Sequence, residues 1–171
     1  MIKSERISIV PFEMKYLNNY FSGFDAEITK FQWPDPFESI EDARYILQEF
    51  LNEMGREETL LFSILSKNDD FIGSVEIHGL TKDCPELGIW IIESQQNKGY
   101  AYEALNAVLA YVRSKYDKTE FYYEADIRNI GSIKLLRKFE EKYEIIEQGF
   151  ERLATDSGKE LELQGYILRT R

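Results

Sequence analysis

Apolar residues in this chain recur at two periods, and the switches between them outline an α/β sequence. Arg6 to Pro11 alternates polar and apolar positions, the pattern of a strand with one buried face. Phe12 to Phe21 carries a short helical pattern, broken by Ser22-Gly23, and Pro34 and Pro36 interrupt the chain soon after. Ser39 is placed to cap a helix, and Ala43, Ile46, Leu47, Phe50, Leu51 and Met54 fall at helical spacing. An amphipathic helix is therefore expected over 40–54, closed by Gly55. Thr59 to Leu65 and Phe71 to Leu80 are β-type runs joined by the turn residues 66–70, and Glu86 to Glu93 extends that meander.

The helical stripe Ala101, Ala104, Leu105, Val108, Leu109, Val112 predicts a helix reaching about Tyr116. Glu120 to Ile127, rich in aromatic and β-branched residues, predicts a strand, followed by a helix capped at or near Asn129. Residues 144–153 and 160–169 read as a closing hairpin around Thr155 to Lys159, where Gly158 can supply positive φ. The order β-α-α-β-β-β-α-β-α-β-β implies a mixed α/β (α+β) fold. Its unit from Glu86 to Ile127 needs a right-handed crossover, with any ligand loop at the carboxyl end of the first strand.

Composition narrows this picture. A chain of 171 residues, 43% hydrophobic, can bury one substantial core, so one domain over 1–171 is expected. No apolar run approaches the roughly 20 residues that span a bilayer, and the N-terminal residues lack the apolar stretch of a signal peptide, so a cytoplasmic protein without a membrane partner is expected. The lone Cys84 and lone His78 leave no material for a disulfide and little for a metal site. A net charge of −10 repels nucleic acid and suits a cationic substrate, though it also serves solubility. Lys98, Lys134, Arg137 and Lys138 form a local exception that a polyanion could use, or that is a solvated helix face.

Candidate chemistry centres on Gln96-Asn97-Lys98-Gly99-Tyr100-Ala101, set between a strand pattern and a helix pattern. A strand feeding a Gly-containing loop that opens a helix aims unpaired N–H groups and the positive end of the helix dipole at one spot, and Gly99 leaves room for a diphosphate. The spelling is neither the dinucleotide fingerprint nor the P-loop. It resembles the (Gln/Arg)-x-x-Gly-x-(Gly/Ala) signature of the GNAT superfamily of N-acetyltransferases. With Glu86-Leu87-Gly88-Ile89-Trp90-Ile91-Ile92 before it and Asn129-Ile130-Gly131-Ser132 after it, the chain resembles the branch containing the ribosomal-protein N-terminal acetyltransferases. The resemblance spans most of the chain. It implies a central, mostly antiparallel sheet with a parallel β-α-β core and helices on both faces. It also implies acetyl-CoA as co-substrate, and a small amine or a protein N-terminus as acceptor, with no metal. A homodimer is allowed. The implied cofactor contacts are Gln96 to Ala101, Asn129, Ser132 and backbone groups of Trp90, Ile91 and Ile92, on a strand that splays from its neighbour.

Acetyl transfer needs a neutral amine, yet a lysine amine has a pKa of about 10.4 and an α-amine about 8, so a base must take a proton. Strand alternation puts Glu86, Gly88, Trp90 and Ile92 on one face and Ser74, Glu76 and His78 together on the preceding strand. Glu86 is the favoured base, on its resemblance to an acidic position of the family, with Glu76 and His78 in reserve. The tyrosine that many members place seven residues after the Asn is Leu136 here, which leaves Ser132 to hydrogen-bond the leaving thiolate. Glu140-Glu141 replaces the family's Gly-Phe, so the helix is expected to run on toward Tyr143. Cys84 lacks a neighbouring base and offers no covalent relay. A catalytically silent acyl-CoA sensor or interaction module is the alternative, and Trp33 either walls an acceptor cleft or anchors its loop to the core, with the anchoring role the one expected.

Overall fold

The structure, a computed structural model, describes residues 1–171. Its eight strands form one sheet: β1 (Ile2–Lys3), β2 (Ile7–Pro11), β3 (Thr59–Ser66), β4 (Phe71–His78), β5 (Glu86–Ile91), β6 (Glu120–Asp126), β7 (Tyr143–Ala154) and β8 (Glu160–Thr170). Their spatial order is β1-β2-β3-β4-β5-β6-β8-β7, and β5-β6 alone is parallel. The helices are α1 (Leu17–Gly23), α2 (Ala26–Thr29), α3 (Ile40–Gly55), α4 (Tyr100–Tyr116) and α5 (Ile130–Arg137).

Two apolar layers flank the sheet. Ile9, Phe62, Ile64, Val75, Ile77 and Phe121 meet the predicted α4 stripe on one face. Leu61, Leu65, Phe71 and Trp90 meet α1 and α3 on the other. The central strand β3, covered on both sides, is buried at seven consecutive residues, which explains its unbroken apolar spelling. Gly73 of β4 is fixed by close packing, since a Cβ there would overlap the Trp90 carbonyl oxygen of β5.

Three local expectations are corrected. Gly55 is the last residue of α3 rather than the residue that follows it, and the chain reverses at Glu57, whose φ is +55°. The helix after Asn129 ends at Arg137; a turn carries Phe139 into the core, and Tyr143, also buried, opens β7. Trp33 anchors nothing: it is 66% exposed. Its loop is held instead by Lys159, whose Nζ donates to the carbonyls of Thr29 and Gln32 at 2.8 Å and of Pro34 at 3.2 Å. Asp35 completes the tie, accepting from the Thr155 hydroxyl at 2.8 Å and from the Ser157 amide at 3.0 Å.

Candidate active site

Strands β5 and β6 pair at only two positions, Glu86↔Tyr122 and Leu87↔Tyr123, and then part. The Ile92 amide donates to Ile72 O at 2.9 Å, so alternation turns the polar groups of Ile89 and Ile91 toward the opening and those of Trp90 toward β4. The opening thus presents backbone groups of Ile89 and Ile91, while Ile92 is spent in the sheet and its side chain lies near Gly23.

Two clefts meet at this opening. The first, about 480 Å³, is lined by Gln95, Gln96, Asn97, Gly99 to Tyr102, Asn129, Gly131, Ser132 and the lysines Lys30, Lys134 and Lys138. Gly99 adopts φ +84° and caps α4, so the first amides of that helix open onto the cleft, and its dipole favours an anion there. The Gln96 side chain turns back to donate to Ile91 O at 3.0 Å, bracing the loop. Lys98 points along the loop, to Gln95 Oε1 at 2.9 Å, and lies outside the lining. Arg137 pairs with Glu140 at 2.6 Å.

Arg6 is a bracing residue of this loop that the sequence reading did not single out. Its amide and Nε donate to Glu103 at 2.8 Å, its Nη1 donates to Lys98 O at 2.8 Å, and its guanidinium stands 4.8 Å from the Tyr100 ring centroid. Burial acts upward on the Glu103 carboxyl, but the Arg6 amide and guanidinium and the Ser4 hydroxyl outweigh it and hold the carboxyl low. The strand-flanking N-terminal segment therefore clamps the loop from behind.

The second cleft, about 810 Å³, is walled by Phe24, Phe31, Trp33, Phe37, Phe50 and Trp90 and carries five glutamates, Glu49, Glu53, Glu76, Glu86 and Glu124. Register places Glu76 opposite Gly88 and His78 opposite Glu86, so the three candidate proton carriers share one wall. Glu76 is locked between the Tyr20 hydroxyl, which donates to Oε1 at 2.5 Å, and His78 Nε2 at 2.9 Å from Oε2. Burial alone would lower the His78 pKa, but Glu76, and behind it Glu86 and Glu53, raise it. Glu86 is exposed at the cleft, yet partial removal from water and then the Glu124 carboxylate push its pKa up, against the pull of His78 and Lys82. Tyr20 is the second residue that sequence reading missed; its partner lies 56 positions away.

Ser132, Asn129, Ile89, Trp90, Phe31 and Gln32 line both clefts and so mark their junction. The Asn129 side chain caps α5 by accepting from the Ser132 amide at 3.1 Å, and the Tyr123 hydroxyl donates to Ser132 O at 3.2 Å. Both contacts fix the Ser132 backbone where the residue lines both clefts. Leu136 is 1% exposed in the core, so the position where many relatives carry a tyrosine faces inward here. Trp90 is cleft wall, its ring packed on Tyr20 at 5.0 Å and Phe24 at 5.5 Å.

Comparison with known proteins places this architecture. The spermidine N-acetyltransferase of Vibrio cholerae, solved with CoA and spermine, superposes with a TM-score of 0.79 at 17% identity over 95% of each chain. The acetyltransferase from Salmonella typhimurium that modifies the N-terminal serine of ribosomal protein L7/L12 superposes at 0.79, with 16% identity over 98% of this chain and 97% of that one. A GNAT-family acetyltransferase from Bacillus anthracis gives 0.77 at 22% identity, again over 98% and 97%. No curated protein matches by sequence comparison. The family described as the GNAT acetyltransferase domain matches residues 6–140, four-fifths of the chain and all of the loop, strands and helix that build the two-cleft junction. The chain belongs to the GNAT family of acetyltransferases.

Proposed function

We propose that the protein transfers the acetyl group of acetyl-CoA directly to a primary amine, small or at a protein N-terminus. The observation that carries this reading is the parting of β5 from β6 beyond Leu87 and Tyr123, with a lysine-lined cleft on one side and a glutamate-lined cleft on the other. The first cleft fits a diphosphate: a positive-φ glycine leaves the α4 amides unobstructed, and Lys30, Lys134 and Lys138 supply countercharge. Gln96, Asn97, Tyr100, Ala101 and Asn129 complete its wall, and the backbone groups of Ile89 and the Ile91 amide, turned to the opening, suit pantetheine amides and a developing oxyanion.

In the transfer, the amine nitrogen bonds to the thioester carbonyl carbon and the carbon–sulfur bond breaks. Glu86, directly or through water along the Glu76–His78 wall, takes the amine proton, and the Ser132 hydroxyl hydrogen-bonds the departing thiolate. The test is release of free thiol from acetyl-CoA by folded protein across a panel of primary amines; no release with any amine rejects the reading. Gly99→Glu should abolish CoA binding in isothermal titration, since it strains a left-handed position, crowds Arg6 Nη2 at 3.2 Å and repels phosphate. A Lys134→Glu/Lys138→Glu variant, which leaves the loop intact, should weaken the same binding; unchanged affinity in both would reject this cofactor site.

A further inference from the structure

We infer that the preferred acceptor is a small amine carrying a second positive charge, gripped by Glu49 and Glu53 of α3 while its reacting nitrogen sits at the Ser132 junction. This rests on the acetyl-transfer reading above and names the acceptor class of that site. The two clefts are segregated by charge. Three lysines and one glutamate, Glu27, line the first, whereas the second carries five glutamates with no lysine or arginine, and His78 is its one basic side chain. None of the five forms an ion pair except Glu76, with His78. Glu53 accepts only from the Thr59 hydroxyl at 2.7 Å, Glu49 from the Asn52 amide at 3.1 Å, and Glu124 from the Tyr122 hydroxyl at 2.8 Å. Several carboxylates facing one cavity repel one another and lack internal countercharge, a condition that a multiply charged cation relieves and a single ammonium relieves only in part.

The carboxylates are also spread along the cavity. On α3, Ile46, Glu49, Phe50 and Glu53 follow the i, i+3, i+4, i+7 spacing of one helix face, and all four line the cleft. Glu76, Glu86 and Glu124 lie on the strands of the opposite wall. Between these groups the aromatic rings of Phe31, Trp33 and Phe37 offer surface for a methylene spacer and faces for a cation. The wall bearing Gln32, Trp33 and Pro34 is tied down by Lys159, so the cavity has a fixed boundary.

The experiment compares kcat/KM, by thiol release at low ionic strength, for linear diamines, monoamines of equal chain length and a peptide with a free N-terminus. Diamines should lead monoamines by about tenfold or more, and 0.5 M salt should narrow that lead by screening. In Glu49→Gln/Glu53→Gln, where the amide oxygen still accepts from Thr59, the diamine-to-monoamine ratio should fall to near one. Equal use of monoamines, a preference for the peptide, or a ratio unmoved by the double substitution overturns the inference while leaving acetyl transfer standing. Turnover of no amine at all overturns both.

Discussion

At the scale of single residues, the junction assigns different work to Ser132 and Glu86. Because the cap at Asn129 is closed through the Ser132 amide, removing the Ser132 hydroxyl leaves that cap in place. Ser132→Ala is therefore expected to lower kcat about tenfold while leaving the Kd for CoA and the melting temperature unchanged; an unaltered kcat would remove Ser132 from the chemistry. Glu86 predicts a pH dependence of defined sign. Its raised pKa keeps it protonated, and idle as a base, to a higher pH than a free glutamate near 4.3. The wild-type rate should fall as pH drops through that raised value, and Glu86→Gln should abolish this acidic limb and slow turnover about a hundredfold. A limb that survives in the variant points to Glu76 and His78 instead.

At the scale of elements, local signals carried far and then failed for identifiable reasons. Helix α4 was legible because its stripe is long and uninterrupted, and the closing hairpin because turn residues separate two alternating runs. The end of α5 was not, because Leu136, Phe139 and Tyr143 repeat at helical spacing although a turn delivers Phe139 and the start of β7 delivers Tyr143 to the core. The two-sided tie between the 29–35 loop and the β7–β8 turn was invisible as well, since Lys159 reaches carbonyls up to 130 positions away. That tie has a pH signature. Partial burial acts upward on Asp35, but the Ser157 amide, the hydroxyls of Thr155 and Ser157 and the Lys159 ammonium outweigh it and bring the carboxyl to about 2. A depressed carboxylate stabilises fully above its unfolded value of about 3.9, and the contribution disappears as pH falls toward 2. Thermal melts between those limits should show the loss in wild type, and Asp35→Asn should lack that step; parallel melting curves would refute the role.

At the scale of the whole molecule, fold class, strand count in the meander and the loop that opens α4 were readable from one chain, and the family match over residues 6–140 agrees with them. Which distant groups would meet was not: Arg6 finds Glu103 and Tyr20 finds Glu76 only once the sheet is assembled in its β1-β2-β3-β4-β5-β6-β8-β7 order. The parting of β5 and β6 carries one more consequence. A sheet interrupted at its middle is two half-sheets joined by two residue pairs, and whatever fills the gap with amides and carbonyls acts as a surrogate strand between them. Occupancy and cohesion are then a single equilibrium: a ligand seated there adds RT ln(1 + [L]/Kd) to the stability of the fold. The protein's resistance to unfolding would rise and fall with its supply of co-substrate.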